Sequence, residues 1–269
     1  MNESIPASLE LTVLMQRDGQ VVTISLNVPQ SLNALDFAMA EALEAALDKA
    51  ATDPSVRVLL LKGNGKAFMS GGDLKVFMND LDHAPETADR IIPIFHRIVE
   101  RLRSMPIPVV VSVHGAVAGG GLSLAMAGDI LVSAQTTRFF PAYGAIGTSP
   151  DGGTSWAITQ LLGQRRALAV LMLGEPITAQ QALELGMINF VVPDAELEQR
   201  SADIVARLVA GAPKALANIK DLVNCARSQT LHEHLKLEHR YFREAAATQD
   251  FREGITAFFE RRKPDFRGN

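Results

Sequence analysis

Three consecutive glycines, Gly119-Gly120-Gly121, stand between the apolar run Pro108-Val109-Val110-Val111-Ser112-Val113 and the helix-like Leu122-Ser123-Leu124-Ala125-Met126-Ala127. The pattern predicts a buried strand running into the triplet and a helix leaving it. Glycines at such a junction let the backbone approach a ligand, and a helix start offers unpaired N–H groups that favour negative charge. A tight turn packed against its neighbours would use the same residues, so a second feature has to decide between the two.

Upstream, the chain alternates strand and helix. Val21 to Leu26 reads as a strand by its β-branched content. A helix follows, capped by Asp36, with Met39, Leu43, Ala46 and Leu47 at helical spacing through about Ala51. Arg57 to Lys62 is a short apolar run suited to a parallel strand, ended by Gly63-Asn64-Gly65. Lys66 to Lys75 is a second glycine loop, with Asp73 placed to cap a helix from Leu74. Asn79 to Thr87 is expected as a polar, mobile loop, and Ala88 to Arg103 as a helix containing Pro93.

Downstream, Ile130 to Ala134 and Arg138 to Phe140 read as strands, and Gly144 to Thr154 as a loop before a helix around Trp156. The last third is predicted to be helical, apart from a strand around Ile188 to Val192, with a break at Thr248-Gln249-Asp250. The expected organisation is an α/β core domain over residues 1–195 and a helical C-terminal region over 196–269.

Composition narrows the partners. A formal charge of −4, with Lys and Arg scattered, gives no case for nucleic acid. The single Cys225 excludes an intrachain disulfide framework and a multi-cysteine metal site, and no histidines adopt a metal-ligand spacing, so no metal is expected. Met1-Asn2-Glu3-Ser4-Ile5-Pro6 lacks a basic stretch followed by an apolar core, and no apolar run reaches membrane-spanning length. The expectation is a cytoplasmic protein without a membrane partner.

Two glycine loops, each ending a strand and opening a helix, can aim two backbone N–H groups at one oxygen. Such an oxyanion hole acts where charge develops in a transition state, and one donor is typically worth about 2.7–4 kcal/mol. A phosphate cradle is the competing use, but neither G-x-x-x-x-G-K-[ST] nor G-x-G-x-x-G is present.

Several stretches in order, together highly specific, resemble the crotonase (enoyl-CoA hydratase/isomerase) superfamily. They are Leu26-Asn27 with Pro29 and Leu32-Asn33-Ala34-Leu35, then Lys66-Ala67-Phe68-Met69-Ser70-Gly71-Gly72-Asp73-Leu74-Lys75, then His114-Gly115-Ala116-Val117-Ala118 and the triplet. Ile146-Gly147 with Pro150, Leu185-Gly186-Met187-Ile188-Asn189 and Arg261-Arg262-Lys263-Pro264-Asp265-Phe266 continue the likeness. The resemblance implies an α/β ββα superhelix with a helical C-terminal trimerisation region, assembled as a homotrimer or dimer of trimers. It implies an acyl-CoA thioester substrate and no cofactor, coenzyme A being part of the substrate. By motif position, the Gly72 and Gly120 N–H groups would bind the thioester oxygen. Gln30, Ser31, Leu32, Ser70, Asp73, Leu74 and Lys75 would lie along coenzyme A, with Lys263 adding charge from the same chain or from a neighbouring subunit.

The chain also departs from that pattern. Hydration takes two carboxylates, and the resemblance puts Ser123 and Tyr143 where hydratases carry glutamates. Neither replaces a carboxylate as a base near neutral pH. Asp151, in Ser149-Pro150-Asp151-Gly152-Gly153, is the remaining acid. Locally it reads as a cap for the helix toward Trp156. The resemblance implies instead a catalytic acid, as in 3-enoyl-CoA and 1,2-epoxyphenylacetyl-CoA isomerases. His96 is expected as a helix-surface or pocket-wall residue, although aryl-CoA dehalogenases use a histidine in that neighbourhood. Trp156 and Tyr143 are expected either to wall an acyl pocket or to pack in the core.

The resulting expectation is an acyl-CoA isomerase working through an enolate, with Asp151 as proton shuttle. A hydratase or other enolate-forming reaction, and a silent acyl-CoA-binding subunit, are the alternatives.

Overall fold

The computed structural model describes residues 12–269, so the expectation for Met1 to Pro6 lies outside the described residues. The chain opens with a hairpin, β1 (Val13–Asp18) antiparallel to β2 (Val21–Leu26). Its two-residue turn begins at Gly19, φ +55°, the conformation this turn takes from glycine. Strand β1 escaped the sequence reading because it is an edge strand exposed from Met15 onward, so no apolar alternation marks it.

Helix α1 (Phe37–Thr52) follows, its Met39 N–H donating to Asp36 Oδ1 at 2.8 Å, and its Met39, Leu43, Ala46 and Leu47 are buried. Then come β3 (Val58–Gly63), the short α2 (Lys75–Met78) and α3 (Ala84–Ser104). The loop expected over 79–87 is instead a single 3-10 turn, Leu81–His83, followed by the first turn of α3. Pro85 is compatible with that turn because its missing N–H would have no partner there.

Strand β4 (Val109–Val113) is wholly buried, but it does not run into the glycine triplet as predicted. The chain turns at His114-Gly115 and forms a separate strand, β5 (Ala116–Ala118), before the seven-residue α4 (Gly120–Met126). Gly115 permits the turn: it has φ +60°, and a Cβ there would lie 2.0 Å from the Lys66 carbonyl oxygen. β6 (Ile130–Ala134), β7 (Arg138–Phe140), α5 (Thr154–Leu162), α6 (Gln164–Leu173), β8 (Ile177–Thr178), α7 (Ala179–Glu184) and β9 (Phe190–Val192) complete the core. The rest is helical: α8 (Leu197–Val209), α9 (Pro213–Cys225), α10 (Leu231–Ala246) and α11 (Gln249–Glu260), with the predicted break before Gln249.

One sheet has the order β1-β2-β3-β4-β6-β9, parallel except for the first pair, and a second has the order β5-β7-β8. Bridges from Leu35 to Gly72 and from Met69 to Val117 extend the second layer. Each turn of the chain thus places a strand in the first layer, a shorter stretch in the second, and then a helix, which is the ββα superhelix. Buried faces of α1 and α3 cover one side of the large sheet, where Leu43, Leu47, Phe95 and Ile98 join its core, and Ile204 and Val205 of α8 cover Val58, Val110 and Val132 on the other. Among the described residues no helix is long and apolar enough to cross a membrane, and no group of three His, Cys, Asp or Glu side chains could hold a metal ion.

Candidate active site

The second layer brings the two glycine loops together. Leu35 N–H donates to the Gly71 carbonyl at 2.8 Å and Asp73 N–H to the Leu35 carbonyl at 2.9 Å, so the intervening Gly72 N–H faces away from that pairing. On the other side, Ala118 N–H donates to the Met69 carbonyl at 3.0 Å. The loops abut so closely that a Cβ on Gly71 would lie 3.1 Å from the Ala118 carbonyl oxygen and 3.6 Å from the Gly120 nitrogen. A Cβ on Gly121 would lie 2.4 Å from the Met69 oxygen.

Among the described residues, neither the Gly72 nor the Gly120 N–H donates to a protein acceptor. Nor does packing demand glycine at either place: nothing lies within 4 Å of a Cβ on Gly72, and Phe95 is 3.6 Å from one on Gly120. The two N–H groups are left open to a ligand oxygen. At Gly120 the N–H stands as a single donor, since α4 is only seven residues long.

Asp151 does not cap α5. The N-cap is Gly153, φ +82°, without a side-chain hydrogen bond, and Thr154 N–H meets the Asp151 backbone carbonyl at 3.3 Å. The Asp151 carboxylate is turned inward instead. Among the described residues, its Oδ1 is the one buried side-chain oxygen or nitrogen without a hydrogen-bond partner. Burial pushes its pKa above the usual carboxylate range, against its own backbone N–H and the charge of His96, which lower it. The inward course of the chain is fixed at Gly152, φ +56°, where a Cβ would meet the Phe95 ring at 2.3 Å and Ser123 Cβ at 2.8 Å. Phe95 therefore lies under both Gly120 and Gly152, and His96, the next residue of α3, is exposed.

Ser123 and Tyr143 are buried and joined by hydroxyls. Tyr143 OH donates to the Gly119 carbonyl at 2.8 Å, Ser123 Oγ donates to the Asp151 carbonyl at 2.8 Å, and Thr154 Oγ1 is 2.5 Å from Ser123 Oγ and 2.8 Å from Tyr143 OH. Sequence reasoning missed Thr154, which carried no signal beyond its place at a helix start. Trp156 is not a core residue: it is 51% exposed, with the Arg103 guanidinium 4.8 Å from its ring centre.

The residues expected along coenzyme A fall into two groups. Gln30 and Ser31 lie in a 3-10 turn, Pro29–Ser31, and Leu32 is left-handed at φ +53°. Ser70 N–H donates to the Leu32 carbonyl at 3.0 Å and Ser70 Oγ to the Ser31 carbonyl at 3.2 Å, which ties this turn to the Gly72 loop. Asp73 caps the start of α2 as expected: Leu74 is already in the right-handed helical conformation, and Asp73 Oδ1 accepts the Lys75 N–H at 3.0 Å. Leu74 and Lys75 are exposed. Lys263 is not brought to this cluster within one chain. The adjoining Pro264 to Arg267 packs beside Gln20 and Arg57, before β2 and β3, whereas the glycine loop follows the far end of β3.

The sequence profile of the enoyl-CoA hydratase/isomerase family matches residues 16–269. This chain belongs to that family. A 1,2-epoxyphenylacetyl-CoA isomerase of Escherichia coli is 35% identical over 257 residues, covering 95% of this chain and 98% of that protein. A trans-2-decenoyl-[acyl-carrier-protein] isomerase of Streptococcus mutans is 34% identical with the same coverage. A crystal structure of an enoyl-CoA hydratase from Polaromonas sp. JS666 superposes with a TM-score of 0.91 at 35% identity, covering 95% of this chain and 99% of that one. The chain thus has the crotonase fold that its motifs implied, in a family of enzymes that act on acyl-CoA thioesters.

Proposed function

We propose that the enzyme is an acyl-CoA isomerase that moves a double bond from the 3- to the 2-position of an enoyl-CoA, or isomerises a ring-epoxide acyl-CoA, without a cofactor. The observation that carries this reading is the Asp151 carboxylate, whose Oδ1 is buried without a hydrogen-bond partner and whose pKa burial raises. In the double-bond reaction, ionised Asp151 takes a proton from the carbon beside the thioester. The electron pair passes to the thioester oxygen, where the Gly72 and Gly120 N–H groups hold the enolate. Asp151 then returns the same proton further along the chain, so one carboxylate closes the cycle. Ser123 and Tyr143 leave water addition without its pair of bases. The two isomerases among the relatives support the same choice.

Coenzyme A in this reading runs past Gln30 to Leu32, Ser70 and Asp73 to Lys75. The active form is a homotrimer or dimer of trimers, in which Lys263 reaches the site of a neighbouring subunit. A cytoplasmic setting completes it, resting on the lone cysteine.

Asp151→Asn tests the proposal. Turnover of 3-hexenoyl-CoA should disappear while binding of saturated butanoyl-CoA survives. Native turnover in that variant would overturn the assignment. Hydration of 2-hexenoyl-CoA by the native enzyme would favour a hydratase, and saturable binding without turnover of any enoyl-CoA or epoxide would leave a silent binding subunit.

A further inference from the structure

The segment from Phe140 to Tyr143 grips Gly119 on both sides. Gly119 N–H donates to the Phe140 carbonyl at 3.0 Å, and its own carbonyl accepts the Tyr143 hydroxyl at 2.8 Å. The same carbonyl accepts Leu122 and Ser123 N–H at 2.9 and 3.2 Å, but those donors belong to the first turn of α4 and move with it. Tyr143 is the tie from outside the helix. The Gly119 carbonyl and the Gly120 N–H are opposite ends of one planar trans peptide, so fixing the first fixes the direction of the second.

The other end of the hydroxyl cluster holds the Asp151 segment. Three hydroxyls carry three protons: Tyr143 gives its proton to the Gly119 carbonyl and Ser123 to the Asp151 carbonyl, leaving that of Thr154 for Ser123 Oγ or Tyr143 OH. Every hydroxyl proton has an acceptor, and Ser123, Tyr143 and Thr154 are 1%, 5% and 0% exposed. A closed buried network of this kind is rigid. Burial also holds the Tyr143 phenol above its usual range, so the proton that reaches Gly119 stays in place across neutral pH.

We propose that Tyr143, Ser123 and Thr154 are positioning residues that lock the Gly120 N–H and the Asp151 carboxylate in one fixed relation, so that proton transfer and enolate stabilisation act on the same thioester. The inference rests on the role assigned to Asp151. It gives the positions that lack glutamate a task of their own: they hold the frame in which a single acid works. Misplacing such groups by an ångström costs on the order of a hundredfold in rate.

The test uses the intact enzyme, 3-hexenoyl-CoA turnover, and the infrared carbonyl stretch of bound butanoyl-CoA carrying carbon-13 at the thioester. Tyr143→Phe should lower kcat by about tenfold to a hundredfold, with KM changed less than about threefold. Its bound carbonyl stretch should return toward that of the free ester, because the Gly120 N–H no longer points at the oxygen. Ser123→Ala should lower kcat similarly and leave the stretch unmoved. Thr154→Val should lower kcat, and Thr154→Ser, which restores the hydroxyl, should recover it; this pair decides if Tyr143→Phe does not fold. Folded Tyr143→Phe with native kcat and native stretch, or a loss explained by KM alone, overturns the inference. Asp151→Asn separates the two levels: inactive beside a fully active Tyr143→Phe, it leaves the isomerase reading standing and the positioning role refuted. Native turnover in Asp151→Asn refutes the reading beneath both.

Discussion

Lys220 Nζ lies 2.8 Å from the Asp129 carboxylate, a contact that fastens α9 to the start of β6. Lys220 also donates to the Leu102 and Ile107 carbonyls at 2.7 and 3.1 Å, which uses its three donors, and Asp129 Oδ2 accepts the Val109 N–H at 2.7 Å. The Lys220 side chain is 8% exposed, so removing it strands a largely buried carboxylate and two carbonyls. Lys220→Met should destabilise the fold by about 3 kcal/mol, read from denaturant midpoints. The double variant with Asp129→Leu should cost less than the single one, since both charges leave together; an equal or larger loss would contradict this account.

Glycines of the two loops separate into those the fold needs and those the ligand needs. Gly121→Ala must push a Cβ against the Met69 oxygen, at 2.4 Å, and should destabilise by about 1–3 kcal/mol. Gly72→Ala meets nothing within 4 Å and should leave the melting temperature nearly unchanged. Its methyl stands in open space beside the N–H assigned to the thioester oxygen, so butanoyl-CoA binding should weaken. Calorimetric melts and titrations on the two variants distinguish the roles.

The sequence carried the glycine loops legibly because glycine at a strand–helix junction has few uses, and helix α1 because its apolar spacing and Asp36 cap agree. What stayed hidden was relational. Nothing local reveals that β5 leaves the large sheet, since both β4 and β5 are apolar and the deciding contact, Lys66 against Gly115, joins distant residues. Asn33 stood inside a quoted motif without a role. In the fold it is fully buried, accepts the Val28 N–H and donates to the Asn64, Ala67 and Phe68 carbonyls, fastening the Gln30 turn to the Gly72 loop. For Asp151, local sequence favoured a cap, and only the inward path imposed by Gly152 separates the two readings.

The raised pKa of Asp151 fixes two pH dependences. In its proposed role as the base it must be ionised, so kcat/KM should rise with pH through its folded-state value. For stability the sign is opposite. The folded state binds the Asp151 proton more tightly than the unfolded chain, so this residue's contribution falls as pH rises from the ordinary carboxylate value, 3.8, through the raised folded value. Asp151→Asn should therefore melt at a higher temperature than the native enzyme at pH 7 and lose that advantage near pH 3. A native enzyme more stable than the variant at pH 7 would contradict a pKa raised by burial at this carboxylate.

Phe258 and Phe259 pack edge to face at 5.6 Å between ring centres, yet are 76% and 79% exposed on the single chain, and Phe242, Met172 and Leu173 are 67%, 76% and 69% exposed. Exposed side chains of this size are what the proposed trimer would cover. Light scattering on the purified enzyme should give a mass three or six times that of the chain. Phe259→Asp should shift it toward the monomer, because a carboxylate buried in an apolar interface has no partner to offset its desolvation. The monomer should keep the Asp151 site folded, since that site is built from one chain, but bind coenzyme A esters more weakly if Lys263 is supplied by a neighbour. Unchanged affinity in a proven monomer would remove Lys263 from the binding site and leave the glycine loops and Asp151 as they are.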